Sequence, residues 1–539
     1  MKKIFTIFCM AALLSSCELD QYPHTETTSK DVYVSAGNYE SVLSGIYTSM
    51  IVNQSSIAAD DRFQNYTRAL LMFQEASTDN MDNVWAAGES TIDLNDLAWT
   101  AGDPWISTMY YHIYNIVALS NEFIRNASDE KIASFSVEDR NKIAGWRNEA
   151  RCLRALAYFH ALDFFPAVPF VDESDPVGSY IPETYTREQL FTFLESELKE
   201  LSQPGVLPSS LYGHVTRGTA AAILARMYLN AEVYTGEPYY TECIAACKDI
   251  MDCGYSLESN YSALFNADNH KRTNEIIFTL ACNAVNTVAW GAGTYVVCAP
   301  RFDLDAGMTE EFGVASYWNC LRARPQLVDK FGEGDRRGNF GSRNRAAYTD
   351  TPDDGWYKVE GDTKYVYQDR PKEIIGHDDT STGWLFNKWS NVTDAGETAS
   401  DTRVNGAETD FPMFRLADVY LMLAEAVLRG GEGASRSDAL GYVNQVRTRA
   451  YGNESGNITE QELTLDFILD ERARELYMEA TRRTDLIRFN KYTSGYDWNW
   501  KGGVKDGRDV DGKYVILPIP EAELSANPDL KAINTKYGF

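Results

Sequence analysis

The sequence predicts a mainly α-helical protein with a tetratricopeptide-like helix-turn-helix scaffold that carries long irregular loops. Two observations predict the scaffold: alanine-rich segments with apolar residues at helical spacing, and two pairs of such segments, each pair roughly 35 residues long. A third observation predicts the loops, because the region of about 283–411 is rich in glycine and aspartate and has poor helical periodicity.

The first element is an export signal. Lys2 and Lys3 form a positive region, and Ile4 to Leu14 form an apolar stretch of about half the length needed to span a bilayer. This stretch ends in Leu-Ser-Ser followed by Cys17, which resembles a bacterial lipobox, although a chance cysteine after a plain signal peptide is the alternative. We predict that residues 1–16 are removed and that Cys17 is acylated, which leaves residues 17–539 as a single lipid-anchored domain.

The charge balance limits the classes of partner. The full chain has a formal net charge of −28 and no later apolar stretch of transmembrane length. So acidic a surface repels nucleic acid and anionic lipid, and it makes a polyanionic ligand unfavourable. We therefore expect a water-facing protein tethered at one end, with no nucleic acid partner.

The strongest helix is predicted over Gly145 to Phe165. Apolar and small residues recur there at i, i+4 and i+7 from Trp146 to Ala161, and Pro166 and Pro169 end the segment. Small residues on this face allow a second helix to approach closely.

Two helix-turn-helix pairs follow. The first joins Thr219 to Tyr234 with Tyr239 to Tyr255, and the second joins Leu416 to Gly430 with Ser437 to Gly452. Both resemble divergent tetratricopeptide repeats, and simple antiparallel helix pairs explain the pattern equally well.

A charged helix is predicted over Ile468 to Asn490. Its acidic and basic residues include pairs at i, i+4 spacing, such as Glu479 with Arg483, beside a complete apolar stripe. We interpret it as an ion-paired helix surface, in which Glu475 and Arg483 serve the fold and not chemistry.

The sequence offers no signature of catalysis or metal binding. It contains no Gly-x-Ser-x-Gly, no phosphate-binding loop, no His-Glu-x-x-His and no Cys-x-x-Cys, and its 78 acidic residues single out no carboxylate pair. Seven cysteines remain after Cys17, an odd number that leaves at least one free. The aspartates of Asp303 to Asp305 are too few for a calcium cage. We expect no catalytic residue, no metal and no cofactor.

Five segments together resemble the SusD/RagB family of outer-membrane nutrient-binding lipoproteins, and they occur in that family's order up to the C-terminus. One of them reads "DERARELYMEATRRTDLIRF". The five segments are Arg147 to Phe170, Phe414 to Arg429, Ala439 to Ala450, Asp470 to Phe489 and Tyr514 to Asn534.

The resemblance implies a cell-surface lipoprotein of the outer membrane that captures oligosaccharides and delivers them to a SusC-like TonB-dependent transporter. In that family the helical repeats pack against the transporter, and irregular segments hold the ligand. Most members bind glycans and some bind peptides.

The tryptophans indicate where a glycan would bind. Eight of eleven lie outside the clear helices, and an aromatic plane on a loop can stack on the apolar face of a sugar ring while polar side chains bind its hydroxyls. We expect most of the eight to be hydrophobic plugs and two or three to contact ligand. We predict Trp85, Trp290, Tyr295 and Trp318 as stacking residues, with Asp79, Asn80 and Asn83 as hydroxyl partners.

Other functions remain open at this point. A peptide- or glycopeptide-binding lipoprotein of the same family is the first alternative, a glycoside hydrolase the second, and a purely structural surface scaffold the third. Turnover of a bound oligosaccharide would distinguish the hydrolase, and a ligand-induced shift in melting temperature would exclude the scaffold.

Overall fold

The computed structural model of the chain describes residues 29–178, 180–301, 311–348, 357–360 and 363–539. The predicted signal peptide, Cys17 and the Asp303 to Asp305 segment lie outside these residues. Within the described residues, no helix is both long and apolar enough to cross a membrane.

The protein is mainly α-helical, as the sequence predicts. The helices that build the scaffold are α1 (Ala36–Ser49), α2 (Pro104–Asn126), α3 (Val137–Phe164), α4 (Arg187–Leu201), α5 (Arg217–Leu229), α6 (Tyr240–Met251), α7 (Leu416–Leu428), α8 (Arg436–Tyr451), α9 (Leu465–Leu476) and α10 (Arg482–Arg488). Shorter helices span Ser29–Val32, Tyr66–Leu71, Ala86–Glu89, Ile92–Asp96, Asp129–Ile132, Ala231–Thr235, Ala292–Cys298, Pro325–Val328, Glu521–Ala526 and Pro528–Lys536.

Both predicted helix pairs are present. Helix α5 packs against α6 and helix α7 against α8, and α6 also packs against α7, so the two units stack in the manner of tetratricopeptide repeats. The close approach depends on small side chains, since Ala220, Ala222 and Ala225 of α5 are completely buried. This stack is the firm support on which the loop-rich region rests.

Side-chain caps fix where these helices begin. The hydroxyl of Thr216 accepts the backbone N–H of Thr219 at the start of α5, and Thr219 returns a side-chain bond to the Thr216 N–H. Ser435 and Asp438 make the same reciprocal arrangement at the start of α8. Helix α8 ends at Tyr451, and the next residue, Gly452, has a φ of 73°, the left-handed conformation that glycine adopts at low cost.

Helix α3 is longer than predicted. It begins at Val137 instead of Gly145 because the hydroxyl of Ser136 accepts the N–H of Asp139 at 3.1 Å, and two acidic residues occupy the first turn. Its end agrees with the prediction, just before Pro166.

The prediction of one continuous helix over Ile468 to Asn490 is wrong. Helix α9 ends at Leu476 and α10 begins at Arg482. Between them, Met478 and Ala480 have φ of 61° and 59°, in the left-handed region that residues with a side chain rarely adopt.

Buried polar contacts stabilise this break. The Lys388 ammonium group donates to the carbonyl of Tyr477 at 2.7 Å, and the N–H of Thr481 donates to Glu75 Oε1 at 3.3 Å. The periodicity of the sequence continues through the break, so only these contacts from distant segments reveal it.

The interpretation of this segment as an ion-paired surface is also wrong, because its charged side chains are buried. At the centre is Glu475, whose Oε1 accepts bonds from Arg415 at 2.9 Å and Arg449 at 2.6 Å, while Oε2 accepts one from Arg337 at 3.1 Å. Burial disfavours the charged carboxylate, but the Arg449 and Arg415 guanidinium groups outweigh it and lower the pKa of Glu475 to about 2.

We call this set of contacts the Glu475 network. Glu275 joins it by accepting bonds from Arg415 at 2.7 Å and from Arg449 at 3.0 Å. The predicted pairing of Glu479 with Arg483 is replaced: Glu479 binds Arg415, and Arg483 donates to the carbonyl of Val515 at 2.7 Å. As expected, Glu475 and Arg483 serve the fold, although from the interior.

Short antiparallel ladders join distant segments. The strands are β1 (Met81–Asn83), β2 (Ala167–Pro169), β3 (Thr184–Thr186), β4 (Ile276–Leu280), β5 (Leu321–Ala323), β6 (Phe340–Gly341), β7 (Arg343–Tyr348), β8 (Tyr357–Glu360), β9 (Thr363–Asp369), β10 (Leu385–Phe386) and β11 (Phe411–Arg415). They pair as β1–β5, β2–β3, β4–β11, β6–β10 and β7–β9–β8. The loop-rich region of 283–411 thus contains β5 to β10 and is attached to earlier parts of the chain by β1.

Several tryptophans are core plugs. Trp99, Trp105 and Trp389 are completely buried, and Trp389 stacks on Phe411 with ring centroids 5.7 Å apart. Trp105 lies in helix α2 and not in an irregular stretch. Seven cysteines lie in the described residues and all are unpaired; five are buried: Cys152, Cys243, Cys247, Cys298 and Cys320.

The Glu475 network generates the first prediction. Replacing Glu475 with alanine removes one carboxylate that the buried Arg337, Arg415 and Arg449 share, so we expect the free energy of unfolding to fall by about 3 to 5 kcal/mol. Chemical denaturation followed by far-ultraviolet circular dichroism measures this loss.

Glu138→Ala is the matched control, because Glu138 forms an exposed i, i+4 pair with Lys142. It should cost no more than about 1 kcal/mol. Equal effects of the two variants would show that Glu475 is not energetically central.

Candidate functional site

Three of the four predicted stacking residues form one cluster, which we call the aromatic platform: Trp290, Tyr295 and Trp318. The ring centroids of Trp290 and Trp318 are 5.6 Å apart at an interplanar angle of 69°, and those of Tyr295 and Trp318 are 5.5 Å apart. Trp290 is 41% exposed, Trp318 is half-buried and Tyr295 is only 1% exposed. The platform therefore offers two indole rings to solvent and one phenol ring as their support.

Contacts with the N-terminal part of the chain fix Trp290. Its backbone N–H donates to Asn53 Oδ1 at 3.1 Å. At the next residue, Gly291, a Cβ atom would lie 1.9 Å from the side chain of Asn65, so only glycine fits. Ala292 then donates its N–H to Thr67 Oγ1 at 3.0 Å and begins the short helix that carries Tyr295.

A buried cation, Arg68, packs against the Tyr295 ring of the platform. The Arg68 guanidinium carbon lies 4.7 Å from the centroid of the Tyr295 ring, and Arg68 is ion-paired with the buried Glu89. Burial raises the pKa of Tyr295 far above its ordinary value, so its phenol stays neutral. The prediction that Tyr295 stacks on ligand is corrected: its ring is covered and holds Trp318 in place.

The β1–β5 ladder brings Trp85 towards the platform segment. Asn83 pairs with Leu321, and the N–H of Val84 donates to the carbonyl of Cys320 at 2.7 Å, two residues after Trp318. Trp85 follows directly and is 39% exposed. It therefore remains a candidate for ligand contact.

The prediction of Asp79, Asn80 and Asn83 as hydroxyl partners is corrected, because all three side chains are buried. Asp79 accepts two bonds of 2.7 Å from Arg482; although burial disfavours its charge, Arg482 outweighs this and holds the pKa of Asp79 well below its usual range. Asn80 donates to Glu75 at 2.8 Å, and Asn83 accepts the N–H of Trp85 at 3.0 Å. They position the loop and do not reach solvent.

The structure adds side chains that sequence reasoning missed. Tyr317, next to Trp318, is 42% exposed, and Val285 and Val288 are exposed in the loop before Trp290. Tyr317 could have been found from its position beside a predicted tryptophan. Asn53 could not, since it is 237 positions from Trp290 in the sequence.

Comparison with known proteins identifies proteins that resemble this chain. The SusD family model matches residues 274–537. The chain is 29% identical over 499 residues to the starch-binding protein SusD of Bacteroides thetaiotaomicron, which covers 87% of this chain and 86% of that protein. The chain is thus similar to SusD-family proteins, through the family model over residues 274–537 and through this relative over most of its length.

Solved structures agree on the fold. Surface glycan-binding protein A from Bacteroides thetaiotaomicron in complex with laminarihexaose has a TM-score of 0.65 at 19% identity, covering 92% of this chain and 98% of that one. The surface glycan-binding protein A from Bacteroides fluxus has a TM-score of 0.66 at 19% identity, covering 91% of this chain and 96% of that one. The helical scaffold is thus the SusD fold.

The chemistry available at the platform is that of binding. Glu89 is a carboxylate whose charge acts on Tyr295, and it is committed to Arg68. In the described ranges, no group of three or more histidine, cysteine, aspartate or glutamate side chains could hold a metal ion. Rigid indole rings with exposed faces fit a ligand that has an apolar face of its own.

Gly291 generates the second prediction. In Gly291→Ala the new methyl group collides with Asn65, whose own side chain accepts the N–H of Arg68 at 3.1 Å, so Trp290 must move relative to Trp318. We expect a lower melting temperature and a changed intrinsic tryptophan fluorescence spectrum.

Gly45→Ala is the control, because a Cβ at Gly45 meets no atom within 4 Å and the residue lies inside helix α1. That variant should be neutral or more stable by about 0.5 to 1 kcal/mol. If Gly291→Ala behaves in the same way, the platform is not held by this contact.

Proposed function

We propose that this protein is a cell-surface glycan-binding lipoprotein that captures oligosaccharides on the aromatic platform and delivers them to a SusC-like TonB-dependent transporter of the outer membrane. The observation that carries the proposal is the exposed Trp290 ring set against Trp318 and supported by the buried Tyr295. Large aromatic side chains are usually buried. Here the surrounding contacts keep part of the Trp290 and Trp318 rings exposed to solvent.

Relatives support the ligand class. One relative over most of the chain is a starch-binding protein, and one structural neighbour was solved with laminarihexaose bound. Both ligands are neutral glucose polymers. The net charge of −28 also favours a neutral ligand over an anionic one.

The platform favours binding without cleavage. Hydrolysis of a glycosidic bond requires two carboxyl groups facing each other across the ligand, at about 5 Å or about 6.5 to 9.5 Å. Asp79, a predicted polar partner, is ion-paired with Arg482 in the interior, and Glu89, which was not predicted, is ion-paired with Arg68. The support for a non-catalytic role is that these carboxylates already serve the fold.

The anchor and the partner complete the proposal. Acylation of Cys17 would hold residues 17–539 at the outer membrane after removal of residues 1–16. Similarity to SusD supports a SusC-like transporter as the partner. The stacked pairs α5–α6 and α7–α8 present a rigid helical surface for it.

The third prediction tests the platform. A neutral glycan held by a few stacking contacts should bind with a free energy of about 4 to 8 kcal/mol, which corresponds to millimolar to micromolar dissociation constants. Trp290→Ala and Trp318→Ala should each weaken binding about tenfold, because each removes one stacking surface. Isothermal titration calorimetry with maltohexaose and laminarihexaose measures the affinities.

Tyr537→Ala is the control, since Tyr537 is a similarly exposed aromatic residue at the C-terminal end of the chain. Its affinity should equal that of the parent. If Trp290→Ala and Trp318→Ala also retain full affinity, the binding site lies elsewhere; if peptides bind and no glycan does, the ligand class is wrong. Release of shorter sugars from a bound oligosaccharide would establish an enzyme instead.

The fourth prediction concerns the anchor. Cys17→Ala should yield a folded protein that leaves the membrane fraction, because acyl chains contribute about 0.8 kcal/mol per buried methylene and the thiol is their attachment point. Fractionation of cell envelopes from a strain without the transporter checks this. Retention of the variant in the outer membrane would rule out Cys17 as the anchor.

A further inference from the structure

A second aromatic recess lies away from the platform, between the loop that precedes α5 and the segment that leads into β4. We call it the Tyr212 recess, and Tyr212, His214, Tyr255, His270 and Thr273 line it. Its cavity volume is only about 20 Å³, so a ligand larger than water would lie across its mouth. Tyr212 is 44% exposed, and its ring meets the exposed ring of His270 with centroids 6.2 Å apart.

The exposed Tyr212 ring is held rigidly. Its hydroxyl donates to Asp410 Oδ2 at 2.7 Å, and Asp410 Oδ1 accepts the N–H of Cys282 at 2.8 Å. Asp410 is buried, so this bond is shielded from water. The next residue, Gly213, has a φ of 73° and turns the chain back towards the helix scaffold. The hydroxyl end of Tyr212 is therefore fixed by its hydrogen bond, while part of the ring remains exposed to solvent.

The His214 side chain also lines the recess. His214 Nδ1 lies 2.7 Å from Glu149 Oε2, which also accepts the hydroxyl of Tyr47 at 2.6 Å. Because the carboxylate only accepts, Nδ1 carries the proton and donates. Among the described residues, no hydrogen-bond partner is found for Nε2 of this half-exposed side chain, which leaves it able to accept a hydroxyl proton from a ligand.

The charges around the recess are balanced. Lys271, next to His270, pairs with Asp268 at 2.8 Å, and Arg272 pairs with Asp394 at 2.6 Å. These contacts leave little attraction for a phosphate or a sulfate. A neutral ligand with hydroxyl groups and an apolar face matches the recess better than an ion does.

From this geometry we propose that the Tyr212 recess marks a second carbohydrate-binding subsite, at which a neutral sugar ring stacks on the exposed Tyr212 and His270 rings, with His214 Nε2 as a hydroxyl acceptor. The proposal rests on the proposed function and extends it, because it makes a polysaccharide chain the preferred ligand.

The connection to the platform supports a shared ligand. Cys282 is bonded to the carboxylate that holds Tyr212, and the exposed loop from Cys282 to Trp290 leads directly to the platform. Cys282 and Trp290 are eight positions apart in the sequence, so their Cα atoms are at most about 29 Å apart. A long glycan chain can therefore engage both subsites, and the second contact then acts at a high effective concentration.

The experiment compares a polymer with a short oligosaccharide on the same variants. The probes are soluble starch with maltohexaose and laminarin with laminarihexaose, measured by affinity gel electrophoresis for the polymers and by tryptophan fluorescence for the hexasaccharides. Tyr212→Ala and His270→Ala should each weaken polymer binding about 3- to 10-fold and change hexasaccharide binding at the platform less than twofold. Tyr537→Ala should change neither.

His270→Ala keeps the test valid if Tyr212→Ala unfolds, because the His270 side chain is exposed. Full polymer affinity in folded Tyr212→Ala and His270→Ala overturns the second subsite and leaves the platform intact. Loss of polymer binding in these variants but not in Trp290→Ala supports the recess and refutes the platform. If the parent binds none of the four probes, both proposals are refuted.

Discussion

The buried carboxylate of Glu475 is the interaction on which the rest of this structure depends. It lies on α9 and binds arginines from strand β11, helix α8 and the loop-rich region, so one side chain joins the second repeat unit to the segments that carry the functional site. Removing charges from water is costly, and this arrangement persists because every member has several partners. Such a network tolerates little displacement of the segments that meet there.

A π-helix transmits this rigidity to the aromatic platform. It spans Met72–Ala76, and its Glu75 binds the N–H of Thr481 in the break between α9 and α10. At its other end, Met72 Sδ lies 3.9 Å from the hydroxyl of Tyr295. A π-helix widens the backbone by one residue per turn and is frequent at functional sites. Here it allows one short segment to contact both the buried charges and the ring that supports Trp318.

Sequence patterns predicted the scaffold because helix periodicity and alanine-rich faces are local signals. The pairs α5–α6 and α7–α8 lie within a few residues of their predicted bounds for this reason. The break after Leu476 could not be predicted, since its cause is a lysine nearly ninety positions earlier, Lys388. Burial of the charged residues on α9 was missed for the same reason: their partners come from distant segments.

The same contrast between local signals and contacts from distant segments applies to the candidate site. Trp290 and Trp318 were predicted because they lie outside the clear helices, where an aromatic ring on a loop can stack on a sugar, and the structure brings their rings together. Asp79, Asn80 and Asn83 were plausible hydroxyl partners by composition, yet an adjacent strand and Arg482 cover them. Polar residues in a loop carry no local sign of whether they face water or another segment.

The hydrogen bond between Trp290 and Asn53 determines when the aromatic platform can form during folding. It closes a loop of 237 residues, and the contact of Ala292 with Thr67 closes one of 225. Closing loops of this length is slow compared with forming helix pairs from neighbouring residues. The helix pairs form from residues that are close in the sequence. The platform forms only after the segment around Trp290 has made its contacts with the segment around Asn53 and Thr67. A molecule whose platform is assembled is therefore one whose folding is already complete, so that binding of a ligand there also reports that folding has finished.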